Sequence, residues 1–450
     1  MTALADAAVV SPWRGRHART TVGVFALAFL FAFEALAVAT VMPAVAADLD
    51  GLRWYAVAFA APLAAGIVAL AAGGPQVDRL GPGPALRIGL VVFGAGVLLA
   101  GLAPSMEVFV LGRLVHGYGG GLIGVALYVV VAQAYPEAMR PRVFAVLTTA
   151  WVLPALVGPV LAAQVAALVG WRWVFLSVPV LAFAAWLLVA DAPSRPGSAA
   201  PVPGRLRWAL IAAAGALAVS LGGQQVLAGW PLLVAAGLVA LAVAGRRVLP
   251  PGAWSLRPGL PAVLGSRAAI STAMAAAEVY VPLLLVLQRD LTIAQAGWAV
   301  TASAVSWSAG AVVAARWRLL ADQPGRVRLG AGLLATGIAG FATVSVPGVP
   351  LAVAVLAWAL AGLGIGMAFS TLSVLALATA AMGEEGRVSS ALQLNDYLTN
   401  AAGVALGGVV FAAFAASAPG AAATGLVLVA AAVAAFALVP AARLGRGAAA

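Results

Sequence analysis

Residues 20–45 read TTVGVFALAFLFAFEALAVATVMPAV, a long apolar run that holds a single acid, Glu34, near its middle. About 20 apolar residues in helical form cross the ~30 Å hydrocarbon core of a bilayer, so this stretch has the length and character of one span. A carboxylate at that depth costs roughly 2.5 to 3.5 kcal/mol on insertion scales, and a chain that keeps one there calls for a functional explanation. The arrangement recurs twice more, with Glu278 inside the run 262–288 and Asp396 inside 388–416. Coupling of transport to an ion or a charged solute is the expectation that these three acids raise.

Composition carries the same message across the chain. Hydrophobic residues make up 64% of the 450 and charged residues 9%, whereas a water-soluble domain carries about 25% charged. The expected class is therefore an all-α integral membrane protein. There is no cysteine, and His17 and His116 are the two histidines, which excludes disulfides, thiolate nucleophiles and multi-histidine metal sites. No metal or cofactor is expected. The net charge of +11 comes entirely from arginine, and these arginines lie between apolar runs rather than on one soluble face, so nucleic acid is not an expected partner. No phosphate-cradling glycine loop occurs, which leaves an ion gradient, the proton gradient first, as the expected energy source.

Fourteen apolar runs can be counted, near 20–45, 52–73, 84–103, 107–134, 142–168, 171–190, 207–223, 226–245, 262–288, 293–316, 328–346, 350–382, 388–416 and 421–441. The first is too long for a signal peptide and lacks a clear small-residue cleavage site, so it reads as a retained helix. Cytoplasmic loops collect arginine. With the N-terminus placed in the cytoplasm, all but four of the 25 arginines fall inside: Arg53, Arg172 and Arg289 fall outside, and Arg113 falls within the membrane. Both termini are then cytoplasmic. Twelve spans, with 207–245 as a soluble linker, are the alternative, but that segment is too apolar for a linker.

The Pro-, Gly- and Arg-containing segments 191–206 and 246–261 break helices and divide the chain into six, two and six runs. The expected domains are residues 1–190, an N-terminal six-helix bundle; 191–261, cytoplasmic linkers with two inserted helices; and 262–450, a C-terminal six-helix bundle. Transporters built from two such halves place their binding sites near the midplane between them. Glu34 and Glu278 would occupy comparable depths in corresponding helices. Each is followed by a proline, Pro43 or Pro282, that can bend its helix.

Several motifs then resemble a known family. GPQVDRLG at Gly74–Gly81 is placed in the loop after the second run and resembles the loop signature of the major facilitator superfamily, although Pro82, Gly83 and Pro84 stand where the family usually has a basic cluster. GRLVHGYGGG at Gly112–Gly121 resembles a second signature, in which an intramembrane arginine precedes a glycine-rich turn, and His116 stands at a place commonly held by glutamine. VGPV around Gly158 and Pro159 resembles the antiporter signature of drug exporters, with Pro154, Ala162 and Ala163 in place of glycines of the fuller pattern. The order and count of elements are similar to the 14-helix drug:proton antiporter branch. That resemblance implies a major facilitator fold and proton-driven export of hydrophobic or amphipathic compounds by alternating access. It also implies that Asp78 and Arg79 form a cytoplasmic gate, with Asp78 near the N-terminus of the helix around 388–416, and that Gly158 and Pro159 take part in gating.

The remaining site candidates come from the residues themselves. Arg113 is a guanidinium that stays charged and needs an acid partner. His116, one turn later, can relay a proton or simply be a hydrogen-bonded structural histidine. Gln393, Asp396, Tyr397 and Asn400 are spaced to share one helical face, and a polar stripe in lipid turns toward the bundle interior. Phe29, Phe31 and Phe33 surround Glu34 in sequence and would suit a cationic amphipath. Gly117, Gly121 and Gly124, with Gly362, Gly366 and Ser370, read as close-packing faces. Trp298, Trp307 and Trp358 are cavity-lining candidates or interfacial anchors. With Arg113 as the one intramembrane base of fixed charge, at least two of the three acids are left without a permanent counter-ion.

The expectation is a monomeric, non-enzymatic exporter in the plasma membrane, with lipids, protons and a small molecule as its partners. The alternatives are an exporter of an endogenous lipid or biosynthetic product and a substrate:proton importer. An enzyme or receptor is disfavoured by short loops and by the lack of any catalytic cluster.

Overall fold

In the computed structural model, the described residues are 12–136, 139–196, 204–225, 228–316, 322–379, 385–414 and 417–444. The loop arginines Arg318 and Arg446, and residues 197–203 of the first linker, lie outside them. Regular structure among the described residues is entirely helical: α1 (Arg16–Asp48), α2 (Tyr55–Leu80), α3 (Pro82–Gly101), α4 (Met106–Ala134), α5 (Arg140–Val169), α6 (Arg172–Leu187), α7 (Arg205–Gly222), α8 (Trp230–Val248), α9 (Leu260–Arg289), α10 (Ile293–Arg316), α11 (Gln323–Phe341), α12 (Leu351–Ala378), α13 (Glu385–Phe414), α14 (Pro419–Phe436) and the short α15 (Leu438–Ala441). Helix is the form that satisfies every backbone donor and acceptor within one apolar segment, which is why such runs become helices. Twelve of these are long and apolar enough to cross a membrane. A thirteenth arises if the end of α5 and α6, whose axes meet at 116°, count as one span.

Contacts between chain segments far apart in sequence show that the helices alternate in direction. At one end, Arg19 bonds Asp191 and the Leu187 carbonyl, the amide of Gly83 donates to Ser194, Gln133 and Arg195 exchange two bonds of 2.8 Å, and Arg443 donates to the Leu256 carbonyl. These residues flank the starts of odd-numbered helices and the ends of even-numbered ones. At the opposite end, Arg172 reaches Asp48 and the Ala103 carbonyl, Gln224 reaches the Arg53 carbonyl, and Arg289 binds four carbonyls between Thr343 and Val349. The described starts and ends of the chain therefore share one face.

The motif placed in a loop at Gly74–Gly81 is not one. Residues 74–80 form the last turns of α2, despite Pro75, and the chain reverses at Gly81, whose φ of 82° suits glycine, into Pro82 at the first position of α3. Gly117, Gly121, Gly362 and Gly366 behave as close-packing positions, whereas a Cβ on Gly124 would meet nothing within 4 Å. A Cβ on Gly117 would stand 2.5 Å from the Pro62 carbonyl oxygen, so α4 touches the backbone of α2 there, and Gly362 and Gly366 seat α12 against α10 in the same way.

Helices α7 and α8 pack on each other through Gly215 and Gly237 and lie against α2 and α13. The first and last six helices meet chiefly through α2 with α13 and α5 with α10. The side chains that join them sit toward the far face: Tyr55 lies 6.0 Å from Tyr280 between ring centroids, Tyr280 lies 5.0 Å from Phe411, and Gly297 nests against the Pro159 carbonyl. Tyr55, Tyr280 and Phe411 are fully buried, so this aromatic plug closes the far end of the bundle.

Candidate functional site

Beneath that plug lies a cavity of about 240 Å³, built by α1, α2 and α4 on one side and by α9 and α13 on the other. Its charged and titratable lining is Glu34, Arg113, His116, Glu278 and Tyr397, set among Phe31, Phe59, Pro62 and Leu63. Glu34 and Glu278 each stand about five turns into their helices, which brings two acids 244 positions apart in sequence to one space.

The α1–α4 wall is a contact network. Arg113 donates from Nη1 to Glu34 Oε1 and from Nε to the Ala58 carbonyl at 3.2 Å. His116 follows Arg113 on the same face of α4, as the i, i+3 spacing requires. Its Nδ1 lies 3.0 Å from the Arg113 carbonyl oxygen, and its Nε2 lies 2.7 Å from Glu34 Oε2. Both neighbours of the imidazole are acceptors, whereas a neutral imidazole has one N–H. With that N–H on Nδ1, Nε2 and Oε2 face each other as two lone-pair acceptors. One added proton completes the network.

On the other wall, Glu278 is partly buried and has no hydrogen bond or ion pair among the described residues. Tyr397 packs against Gly66 of α2 and closes the cavity toward the centre of the bundle.

Asp396 belongs elsewhere. Both of its oxygens are held by Arg267 at 2.8 to 3.0 Å, Arg267 also donates to Ser373 Oγ at 2.8 Å, and its guanidinium lies 3.6 Å from the centre of the Phe369 ring. This cluster ties α9, α12 and α13 together nearer the terminus-bearing end and does not line the cavity. The topology expected from the arginines places Arg267 in a cytoplasmic loop; it is instead buried in α9. Arg113 is thus not the one buried base, and of the three acids only Glu278 lacks a partner.

The expected polar stripe on α13 divides. Tyr397 lines the cavity, Asp396 joins the arginine cluster, Asn400 is partly buried and Gln393 is exposed. Asn395, which the stripe omitted, is fully buried and donates to the Leu264 carbonyl at 3.2 Å, an interhelical bond that a single-face reading does not detect. Of the three phenylalanines only Phe31 lines the cavity; Phe29 and Phe33 stack on each other at 6.4 Å, and Phe33 is the neighbour that a side chain on Gly158 would meet. None of the three tryptophans lines it either: Trp298 is 60% exposed, Trp307 packs on Phe369 and Trp358 is buried against Phe341. Gly158 and Pro159 are both buried; Gly158 faces Phe33 of α1, and the Pro159 carbonyl meets Gly297 at the α5–α10 contact. Asp78 is partly buried at the end of α2 without a partner among the described residues, and Arg79 is exposed. The side chains of 385–387, at the start of α13, lie outside the described residues.

Antiparallel membrane helices in two groups, closed at one end over a charged cavity between the groups, define the class as a multi-pass membrane transporter rather than an enzyme. The chain belongs to the Major Facilitator Superfamily, whose sequence profile matches residues 24–404. It is 30% identical over 421 residues to a "probable multidrug-efflux transporter" of Mycobacterium tuberculosis, covering 88% of this chain and 89% of that protein. A "multidrug efflux pump" of Staphylococcus aureus is 21% identical over 171 residues, 38% of each chain. The fold is also that of a crystallised peptide transporter of the POT family, with a TM-score of 0.71 at 18% identity, covering 95% of this chain and 97% of that one.

Proposed function

We propose that this protein exports hydrophobic or amphipathic small molecules in exchange for protons, by alternating access to the cavity. The reading includes fourteen crossings with both termini cytoplasmic, a plasma-membrane location, a monomeric chain, and two six-helix bundles, residues 1–190 and 262–450, flanking the inserted pair. Its main support is the His116–Glu34 contact of 2.7 Å, at which an imidazole and a carboxylate can share a proton, set across a single cavity from an acid with no partner among the described residues.

The chemistry follows from charge balance. Arg113 offsets Glu34, so the α1–α4 wall gains one positive charge when the proton binds between His116 and Glu34. When ionised, Glu278 would carry an unmatched charge in an apolar space, and such a charge calls for a proton or a cationic group of the substrate. Substrate entering the cavity therefore competes with protons for the same acids, which is what exchange requires. With the far face closed by Tyr55, Tyr280 and Phe411, the conformation fits the stage at which substrate is taken from the cytoplasm and protons are released there. Asp78 and Arg79 would close the cytoplasmic, terminus-bearing face in the opposite state. The likeness to multidrug-efflux proteins supports export and the breadth of the substrate class.

The test is a compound screen on the purified protein in proteoliposomes with an imposed pH gradient, reading proton movement and substrate flux together. Export-type exchange is expected, and Glu278→Gln should reduce it to background while the protein still purifies and melts normally. Substrate accumulation down an inward proton gradient would instead mark an importer, and full coupled exchange by Glu278→Gln would remove that acid from the mechanism.

A further inference from the structure

The inserted pair α7–α8 carries a charged patch that the transport reading does not use. Arg207 in the first turn of α7 and Arg247 in the last turn of α8 both lie 5.5 Å from the centre of the Trp208 ring. The Gly215–Gly237 packing holds the two helix ends in that register. Arg246 stands beside Arg247, and Arg205 is two residues before Arg207. Arg207, Arg246 and Arg247 are exposed, with no ion pair or hydrogen bond among the described residues.

Two features separate this patch from the arginines that topology alone demands. Two other arginines on the terminus-bearing face have acids beside them: Arg19 pairs with Asp191 at 3.0 Å and Arg328 with Asp322 at 3.3 Å. Around α7 and α8 the chain contains no acid between Asp191 and Glu278. Two guanidinium groups held on one indole repel each other, and no carboxylate of this segment can offset them. Beside the charges the surface turns apolar at once, with Leu206 and Leu210 on α7 and Val239 and Val243 on α8 all exposed.

We propose that the terminus-facing end of α7–α8 binds the headgroup of an anionic phospholipid. The phosphate oxygens accept from Arg207 and Arg247, whose planar guanidinium groups suit a phosphate. Trp208, in the first turn of α7, would then lie at headgroup depth, where tryptophan is favoured. The acyl chains run along the exposed leucines and valines. Those side chains set the ligand apart from free phosphate, which has no use for an apolar flank. The inserted pair thereby becomes a lipid-anchored element packed on α2 and α13, the helices that join the two halves.

Native mass spectrometry of the full chain tests this, with phosphatidylglycerol and phosphatidylcholine of matched acyl chains as probes. Preferential retention of phosphatidylglycerol is expected. Arg207→Gln with Arg247→Gln should weaken it about tenfold or more, in line with the contribution of roughly 1 kcal/mol per basic residue near an anionic surface. Arg247→Gln alone should give a smaller loss. Arg14→Gln with Arg87→Gln, which removes equal charge from the same face, should leave retention unchanged. Equal retention of the two lipids would overturn the proposal, as would an equal loss in the control variant. Displacement of phosphatidylglycerol by millimolar inorganic phosphate would also overturn it, by revealing a site for a soluble anion.

Discussion

The two walls of the central cavity solve the problem of a buried acid differently. On the α1–α4 side, Glu34 touches both an arginine and a histidine, whereas on the α9–α13 side Glu278 stands with no partner among the described residues. The C-terminal half has an acid–arginine pair of its own, Asp396 with Arg267, but keeps it outside the cavity between α9, α12 and α13. The α1–α4 wall is thus preorganised, with its charges fixed in place, while the charge of the opposite wall is matched only by what enters. A pump needs both properties: a framework that survives each cycle and a group whose partner changes during it.

Removing one partner from a buried ion pair leaves an uncompensated charge and costs about 3–5 kcal/mol, so Arg113→Ala should be the most damaging change. Thermal unfolding of the detergent-purified variant should show a large loss of stability, part of it recovered when Glu34→Gln is added. A melting point like that of the parent would mean that the α1–α4 wall is not a fixed element. Asp396→Asn should cost less, about 1.5–3 kcal/mol, because the amide oxygen still accepts from Arg267 while the charge is lost. Proton coupling per transported molecule should stay intact, since the cluster lies off the cavity. Loss of coupling in a well-folded Asp396→Asn protein would erase the distinction between the two acids of the C-terminal half.

The smallest change in stability, about 1 kcal/mol or less, is expected for His116→Gln, whose amide N–H can donate to Glu34. Its effect should appear in the pH dependence of transport, because a glutamine amide cannot take up a proton opposite Oε2. Profiles that superimpose on the parent's would remove His116 from the proton site and leave Glu278 as the coupling acid.

Much of this was legible one residue at a time. Each helix falls within a few residues of an apolar run, and Glu34, Arg113 and Glu278 stood out because charge in such a run is costly wherever the helix faces. The wrong readings have a common cause. Gly74–Gly81 carries the glycine and proline of a loop, yet helical hydrogen bonding continues through residues 74–80; Arg267 sits close enough to a linker to pass for a loop residue; and Gln393, one turn before Asp396 on α13, is exposed and does not line the cavity. In each case local composition was weighed without knowing where the helix ends or how it is rotated.

The sequence by itself determined that this is an all-helical membrane protein, where its helices lie, and that two acids sit at matching positions in helices of the two halves. Hydropathy and the expense of isolated charge are properties of short segments, so no tertiary information was required. Only the tertiary structure decided that Asp396 is neutralised by Arg267 across 129 positions of chain, that His116 faces Glu34, and that Glu278 alone of the three acids is left without a partner. Those outcomes depend on the rotation and depth at which one helix meets another, which packing of the whole bundle fixes and no short stretch of sequence contains.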